Sequence, residues 1–549
     1  MPVNADSLPF VGTNRRIETD DECISRGRGR PGDERCAHTL RTYCILPGMK
    51  TSFIPDRVIV ASELPPAASM HDARRLAGAL GLGFFLIYLA FLAPGIYSLD
   101  GNSILNVAES LVTRHDLTVA PGLGIPGRGD RIYSSWYPLQ SFLAVPLVAM
   151  AVPISRAVHV PLHFVAAVLA GVLPVIFTAA TVPLVALIGL QLGSSLRGAS
   201  RAAICFALGT IALVYQRTFY AEPLLMLLTA AGLYFAFAQT PPTLLVASIC
   251  ALLAVLAKPT GILVGPTLSA YLLAKQTLSL RWRLAPGLGA VLGLLLYFLY
   301  NWARFANPFI FGQPYAFSFA SIPVGVAGLL LSPGHGLIWY CPPVILAIPG
   351  LRKAIQSRRL EALSIAGMFA AFLGLHSFWT AWSGGWSWGP RFLLPALPGL
   401  MAFTALLQEK LKRGLQALAL VGFLINAPTL VSYYERYYAE ANEQLIPPHA
   451  LLWSPSHAPF LHEWPAAIRQ VQDAEKSDVR EIFAERAAPS RTISGSRALR
   501  VVALWWWVLP IVHIPRIIGA AISLVMTLTG CWIIFRARPA TASPPPPRV

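Results

Sequence analysis

The run Leu76–Ile96, LAGALGLGFFLIYLAFLAPGI, decides the class of this protein. It carries no charge over about 20 residues, and a helix of that length crosses the roughly 30 Å hydrocarbon core of a bilayer. Arg74-Arg75 precedes it directly, and Tyr97-Ser98-Leu99-Asp100-Gly101-Asn102 follows. Basic residues beside a span mark its cytoplasmic end. The polar loop from Ser98 to about Ser135 is therefore expected outside the cytoplasm.

Outward from this span, apolar segments recur near 136–153, 164–192 (holding Pro174 and Pro183), 202–216, 223–238, 243–257, 260–274, 286–302, 336–350, 361–378, 392–408, 414–432 and 516–535. They predict an all-α polytopic membrane protein of about 11–13 transmembrane helices. Composition agrees: hydrophobic residues make up 55% and charged residues 13% of 549, where soluble domains carry about a quarter charged. The net charge of +17 lies largely in short runs beside spans, such as Arg281/Arg283, Arg352-Lys353, Arg358-Arg359 and Lys410/Lys412-Arg413. These read as cytoplasmic anchors and speak against a nucleic-acid partner.

Alternation of spans meets one conflict. Counting from Arg74-Arg75 puts Arg156 inside and Arg197/Arg201 outside, against the charge rule. One of the two segments between them should be re-entrant, or the long one broken. No internal repeat is visible, which weakens an inverted-repeat transporter reading.

The expected organisation has five parts. Residues 1–72 form a disordered cytoplasmic tail, or precede a true start at Met49 or Met70. Cys23, Cys36, Cys44 and His38 lie there without zinc-site spacing. Residues 73–432 form the transmembrane domain, and 433–499 a polar extramembrane segment. Residues 500–536 hold Trp505-Trp506-Trp507, an interfacial anchor, and a last helix; 537–549 is a Pro-rich tail.

Charges at membrane depth cost at least ~2.5–3.5 kcal/mol on insertion scales and so default to paired or functional roles. Arg217 and Glu222 bracket Thr218-Phe219-Tyr220-Ala221. Lys258 stands before Pro259, Arg304 follows Asn301-Trp302, and Arg391 closes Trp386-Ser387-Trp388-Gly389-Pro390. The plainer reading of Lys258 is snorkelling to the headgroups. Asp100, at the outer end of the first span, can face a cavity without burial in lipid; its plainer reading is a helix cap or solvated carboxylate. Glu109 and Asp116 share its loop, and Tyr137-Pro138 opens the next apolar segment.

In this order the strings RTFYAEP (217–223), NWARFANPFIFG (301–312), LLLSPGHGLIWYCPP (329–343) and WSGGWSWGPRFLLPALP (382–398) resemble bacterial membrane glycosyltransferases of the GT-C superfamily. The nearest branch is that of protein O-mannosyltransferases and aminoarabinose transferases, and the resemblance covers roughly residues 76–465. It implies a bundle with a large first extracytoplasmic loop and sugar transfer on the outer face from a polyprenyl-phosphate donor to an envelope hydroxyl. It also implies Asp100 as catalytic base. Arg217, Glu222, Lys258, Arg304, Arg391 and Tyr137 are then candidates for donor and substrate binding. Gly101 departs from the Asp-Glu pair of the O-mannosyltransferases. No DxD string lies in the loops, so neither a metal nor any other cofactor is expected. A lipid-linked glycan ligase and a polytopic transporter or flippase are the alternatives.

Overall fold

The computed structural model describes residues 70–312, 316–475 and 501–537. The expected tail up to residue 69, the end of the polar segment from 476 and the Pro-rich residues from 538 lie outside the described residues. Helix α1 runs Met70–Ala90, ending earlier than its apolar run. Pro94 cannot donate a backbone hydrogen bond and disfavours helix in the residue before it.

The polar loop expected after α1 is half helix. Helix α2 spans Leu99–Thr113, capped by Ser98, whose Oγ accepts from the Gly101 amide at 3.1 Å. Ser is a preferred cap because it satisfies an orphan amide of the first turn. The remaining loop folds back on α2: Ile125–Pro126 pairs antiparallel with Ile132–Tyr133, and Ser103 bonds Ser134 at 2.7 Å.

Helix α3, Pro138–Val158, is long and apolar enough to cross a membrane, yet it begins and ends on one side. Helices α4, Leu162–Ala170, and α5, Val172–Gln191, follow it, separated by Gly171. Gly81 of α1 faces Pro183 of α5, and Gly171 faces Leu92. The two helices are thus antiparallel, with Gly171 level with the outer end of α1. Helix α4 lies on the outer side of that point, and its His163 bonds Glu109 of α2 at 2.9 Å. The start of α3 is tied to the same helix, through Ser141 Oγ to the Ile104 carbonyl. Phe142, Leu143, Met150 and Ile154 of α3 stay exposed, an apolar face that suits contact with lipid. Simple alternation fails here. Arg156 falls at the end of the bundle where α1 finishes, and Gln191 reaches the end where α1 starts, so Arg197/Arg201 lie on the same side as Arg74-Arg75, as the charge rule asks of cytoplasmic anchors.

Six described helices are long and apolar enough to cross a membrane; a bent pair, Glu409–Leu430 with Glu435–Glu443, makes up to seven. Four shorter apolar helices, Glu222–Ala238, Pro241–Ala257, Phe319–Leu331 and Arg391–Leu406, lie among them. The protein is a multi-pass, almost wholly helical membrane protein. Several segments differ from expectation, 202–216 being broken at Thr210 and 260–274 and 392–408 being partly 3-10 helix. The stretch 336–350 is broken at Pro342-Pro343 into Leu337–Tyr340, a 3-10 turn Pro342–Leu346, and Ala347–Ser357. The apolar helix Ile322–Leu331 was not among the expected spans, being only ten residues long.

Small residues let the helices approach closely, as membrane packing requires when lipid offers no hydrophobic drive. Gly293 of helix Leu280–Phe305 abuts the Leu252 carbonyl, and Gly83 of α1 meets Gly530 of the last helix, Arg516–Arg536. Above the outer ends, Glu435–Glu443 and Pro459–Glu475 are joined by Arg436, which bonds Glu440 and Asp473 at 2.8 Å each.

Candidate active site

Four of the charges singled out in the sequence converge at the outer end of the bundle. Ser98 starts α2 and so sets Asp100 in its first turn. Glu222 opens its helix with Pro223 behind it, a place where the helix dipole favours an acid. Lys258 caps the helix Pro241–Ala257, which Pro259 prevents from continuing. Arg391 follows Gly389, whose φ of +60° is the left-handed turn that glycine adopts without strain. A side chain at Gly384 would meet Arg391 Nε at 2.9 Å.

The geometry is a chain of alternating charge. Lys258 Nζ donates to Glu222 Oε1 at 2.7 Å. Arg391 Nε lies 3.9 Å from that same oxygen, and Arg391 Nη1 donates to Asp100 Oδ2 at 3.1 Å. Aromatic faces back the cations: Lys258 sits 4.3 Å over Phe392, and Arg391 4.7 Å over Tyr220. Two acids balance two cations, as buried ion pairs require.

The two acids differ in availability. The Glu222 side chain is 4% exposed and held by Lys258, whereas Asp100 is 19% exposed. Burial pushes the Asp100 carboxyl above the usual aspartate range, although Arg391 pulls it back. Arg391 Nε, buried, has no hydrogen-bond partner among the described residues. An accessible, raised carboxylate beside an unsatisfied guanidinium can accept a proton while the cation takes a second anion.

The other candidates fall elsewhere. Arg304 donates to the Ser134 carbonyl, to Trp136 O at 3.2 Å and to Asn301 Oδ1 at 2.7 Å, so it anchors the outer loop. Arg217 donates to the Thr429 and Leu430 carbonyls at the end of the helix Glu409–Asn426 and its 3-10 extension. Neither is brought into the charge chain. Tyr137 caps α3, packing with Ala221 and Tyr297, one residue from Glu222. Glu109 is paired with His163, and Asp116 caps its own loop through Thr118.

Sequence reasoning passed over the residues that position Arg391. The Tyr215 hydroxyl donates to the Trp388 carbonyl and accepts from the Trp388 amide, both at 3.1 Å. Trp388 Nε1 donates to Asn426 at 2.7 Å. A buried Asn at the end of an apolar helix was the available signal.

No family model matches the chain, and no curated protein matches it. Among solved structures, it is similar to ArnT from Cupriavidus metallidurans bound to undecaprenyl phosphate, with 15% identity and a TM-score of 0.44 over 84% of this chain and 77% of that one. It is also similar to the apo oligosaccharyltransferase of Archaeoglobus fulgidus, with 10% identity and a TM-score of 0.41 over 78% of this chain and 61% of that one. Both are members of the GT-C superfamily, the family that the motifs resemble. Identities and scores this low leave the functional reading to this chain's own residues.

Proposed function

We propose that this protein is a membrane glycosyltransferase of the inner (plasma) membrane. It moves one sugar from a polyprenyl-phosphate donor to a hydroxyl of an envelope acceptor, a lipid, glycan or protein, on the outer face. The single observation that carries this reading is the Asp100–Arg391–Glu222–Lys258 chain at the outer end of an otherwise apolar bundle.

The chemistry follows from the roles that these groups can fill. The acceptor oxygen forms a bond to the anomeric carbon as the bond from that carbon to the lipid phosphate oxygen breaks. The hydroxyl proton passes to Asp100, the more accessible acid. The departing phosphate takes the negative charge, which Arg391 meets with the fork of its guanidinium while Lys258 adds a second positive charge nearby. Glu222 holds both cations in place. As Arg391 turns to the phosphate, its hold on Asp100 loosens, and the carboxylate is freed as the base.

The test uses purified full-length protein with a polyprenyl-phosphate sugar and a mixed envelope acceptor extract. Wild type should release polyprenyl phosphate and add a single sugar; Asp100→Asn should lose turnover by at least ~10² with donor affinity kept. Transfer of a whole glycan would favour the ligase. Donor crossing the bilayer with no transfer would favour the flippase.

A further inference from the structure

The helix Pro459–Glu475, in the segment expected to be polar and extramembrane, is amphipathic in the reverse sense from a helix bathed in water. Its protein-facing side carries Glu463 and Gln470, both fully buried, with Ala466, Ala467 and Ala474. Its outward side carries Leu461, Trp464 and Ile468, which are 55%, 47% and 57% exposed. They recur at i, i+3 and i+7 and so form one stripe. Hydrogen bonds fix this orientation. Glu463 Oε1 accepts from Ser432 Oγ. Gln470 accepts from Arg436 Nη1 at 2.5 Å and donates to the Val501 carbonyl at 2.6 Å. Buried polar groups opposite an exposed apolar stripe indicate that the medium outside the stripe is itself apolar.

Trp464 shows which medium that is. Its Nε1 donates to the Leu424 carbonyl at 2.9 Å, in the last turn of the helix Glu409–Asn426. That carbonyl cannot receive the usual helical bond from residue 428, a proline without an N–H. Leu420, Val421 and Leu424 make up an exposed apolar face of the same helix, which belongs to a candidate span. In a spanning helix such a face meets lipid. The stripe of Pro459–Glu475 is tied to the outer end of that face and continues it.

Proline also sets the depth. Pro465, on the outward side, withholds the helical N–H from the Leu461 carbonyl, which then needs a donor from outside the helix. Hydrocarbon offers none, so the helix stays at a level that water and headgroups reach.

We propose that the helix Pro459–Glu475 docks on the outer surface of the bilayer, with Leu461, Trp464 and Ile468 sunk to the boundary between headgroups and acyl chains. Tryptophan suits that boundary, having an apolar ring and one polar N–H. The docked helix braces Glu435–Glu443 against the membrane through the bond from Arg436 to Asp473. This docking needs only that the helix Glu409–Asn426 spans the membrane, and it does not depend on sugar transfer.

The experiment uses full-length, cysteine-free protein in phosphatidylcholine nanodiscs, with a bimane fluorophore on Leu461→Cys or Ile468→Cys. Both positions are exposed, so neither label disturbs the packing. Each should be quenched at least about twofold more by a nitroxide near the head of the acyl chain than by one near its end, as shallow docking requires. Aqueous iodide should quench each far less than it quenches the same label on Asp130→Cys in the outer loop. A label on Leu420→Cys should respond to lipid nitroxides and not to iodide. Iodide quenching of Leu461→Cys and Ile468→Cys equal to that of Asp130→Cys overturns the docking, since the stripe would face water. Quenching of both by neither reagent also overturns it, because protein would then cover the stripe, either a second copy or residues 476–500.

Discussion

Arg391 Nη1 donates to Asp100 Oδ2 across 3.1 Å, joining two residues 291 positions apart in the chain. One comes from the first turn of the first outer helix, the other from a glycine-rich loop behind a late span. In the mechanism proposed above, the bond would couple proton acceptance to anion binding, because the cation that restrains the base would also be the one to receive the phosphate.

If Arg391 receives the phosphate as a fork, charge alone will not replace it. Arg391→Lys should weaken donor binding about tenfold or more, the scale of losing one charged hydrogen bond of about 1.5–3 kcal/mol. Arg304→Lys should leave donor affinity unchanged and instead speed hydrogen exchange across residues 132–137, where Arg304 holds the Ser134 and Trp136 carbonyls. Binding measured with a fluorescent polyprenyl phosphate separates the two. Equal losses in both variants would return Arg304 to the donor site.

Three of the four converging charges, Glu222, Lys258 and Arg391, were legible in the sequence because a charge among apolar neighbours is costly, and so has a reason to be there; Asp100 was legible from its place at the outer end of the first span. Their pairing was not, since nothing local connects Asp100 to Arg391. Arg304 and Arg217 carried the same signal for a different reason: each is satisfied by backbone carbonyls, and a buried arginine anchoring a loop reads like one awaiting a ligand. Helix α2 was hidden by its polar start, Asp100-Gly101-Asn102-Ser103, and the cap is Ser98 rather than Asp100, the residue whose plainer reading was a helix cap. The charge conflict showed that one of the two segments between Arg156 and Arg197 should be re-entrant or the long one broken, but not which, because hydropathy reports that a segment prefers lipid without reporting its direction. The contacts of Gly81 and Gly171, together with the bonds of Ser141 and His163 to α2, bring α3 back to the side on which it began.

That return predicts accessibility. In a cysteine-free background, Asp130→Cys in the outer loop and His159→Cys after α3 should both react with an impermeant maleimide in intact cells. Gln276→Cys, at the inner end of its helix, should react only after permeabilisation. Simple alternation predicts the reverse for His159. Labelling of that position only after permeabilisation would make α3 a true crossing and put Arg197/Arg201 outside again.

Glu222 and Lys258 should behave as a stability pair rather than as two independent catalytic groups. Glu222→Gln leaves a buried ammonium without its counter-charge, a loss of about 3–5 kcal/mol when one partner of such a pair is removed. Lys258→Met in the same chain removes the stranded charge and should restore most of the melting temperature without restoring transfer. Thermal unfolding in detergent, followed by tryptophan fluorescence, reports this. A Glu222→Gln protein as stable as wild type would show that Lys258 does not depend on Glu222, and would reopen Glu222 as the base.

The pH dependence of Asp100 has opposite signs for activity and for stability. Burial raises its carboxyl in the folded protein, above the ordinary aspartate value of about 3.9. Transfer needs the ionised form, so kcat/KM should fall on the acid side with a midpoint above that value. Between the ordinary and the raised value the folded chain holds a proton that the unfolded chain has lost. Asp100 therefore favours folding fully below its unfolded pKa, and that contribution is lost as pH rises through the folded one. Asp100→Asn cannot ionise. It should lack this acid limb in its residual turnover, and its melting temperature relative to wild type should climb as pH rises from about 4, through the window between the ordinary and the raised value. The measurements are a pH–rate profile with donor saturating and limiting, and unfolding curves for both proteins across the same range. An unchanged acid limb in the Asn variant would assign the titrating base to another group, and with it the proton transfer.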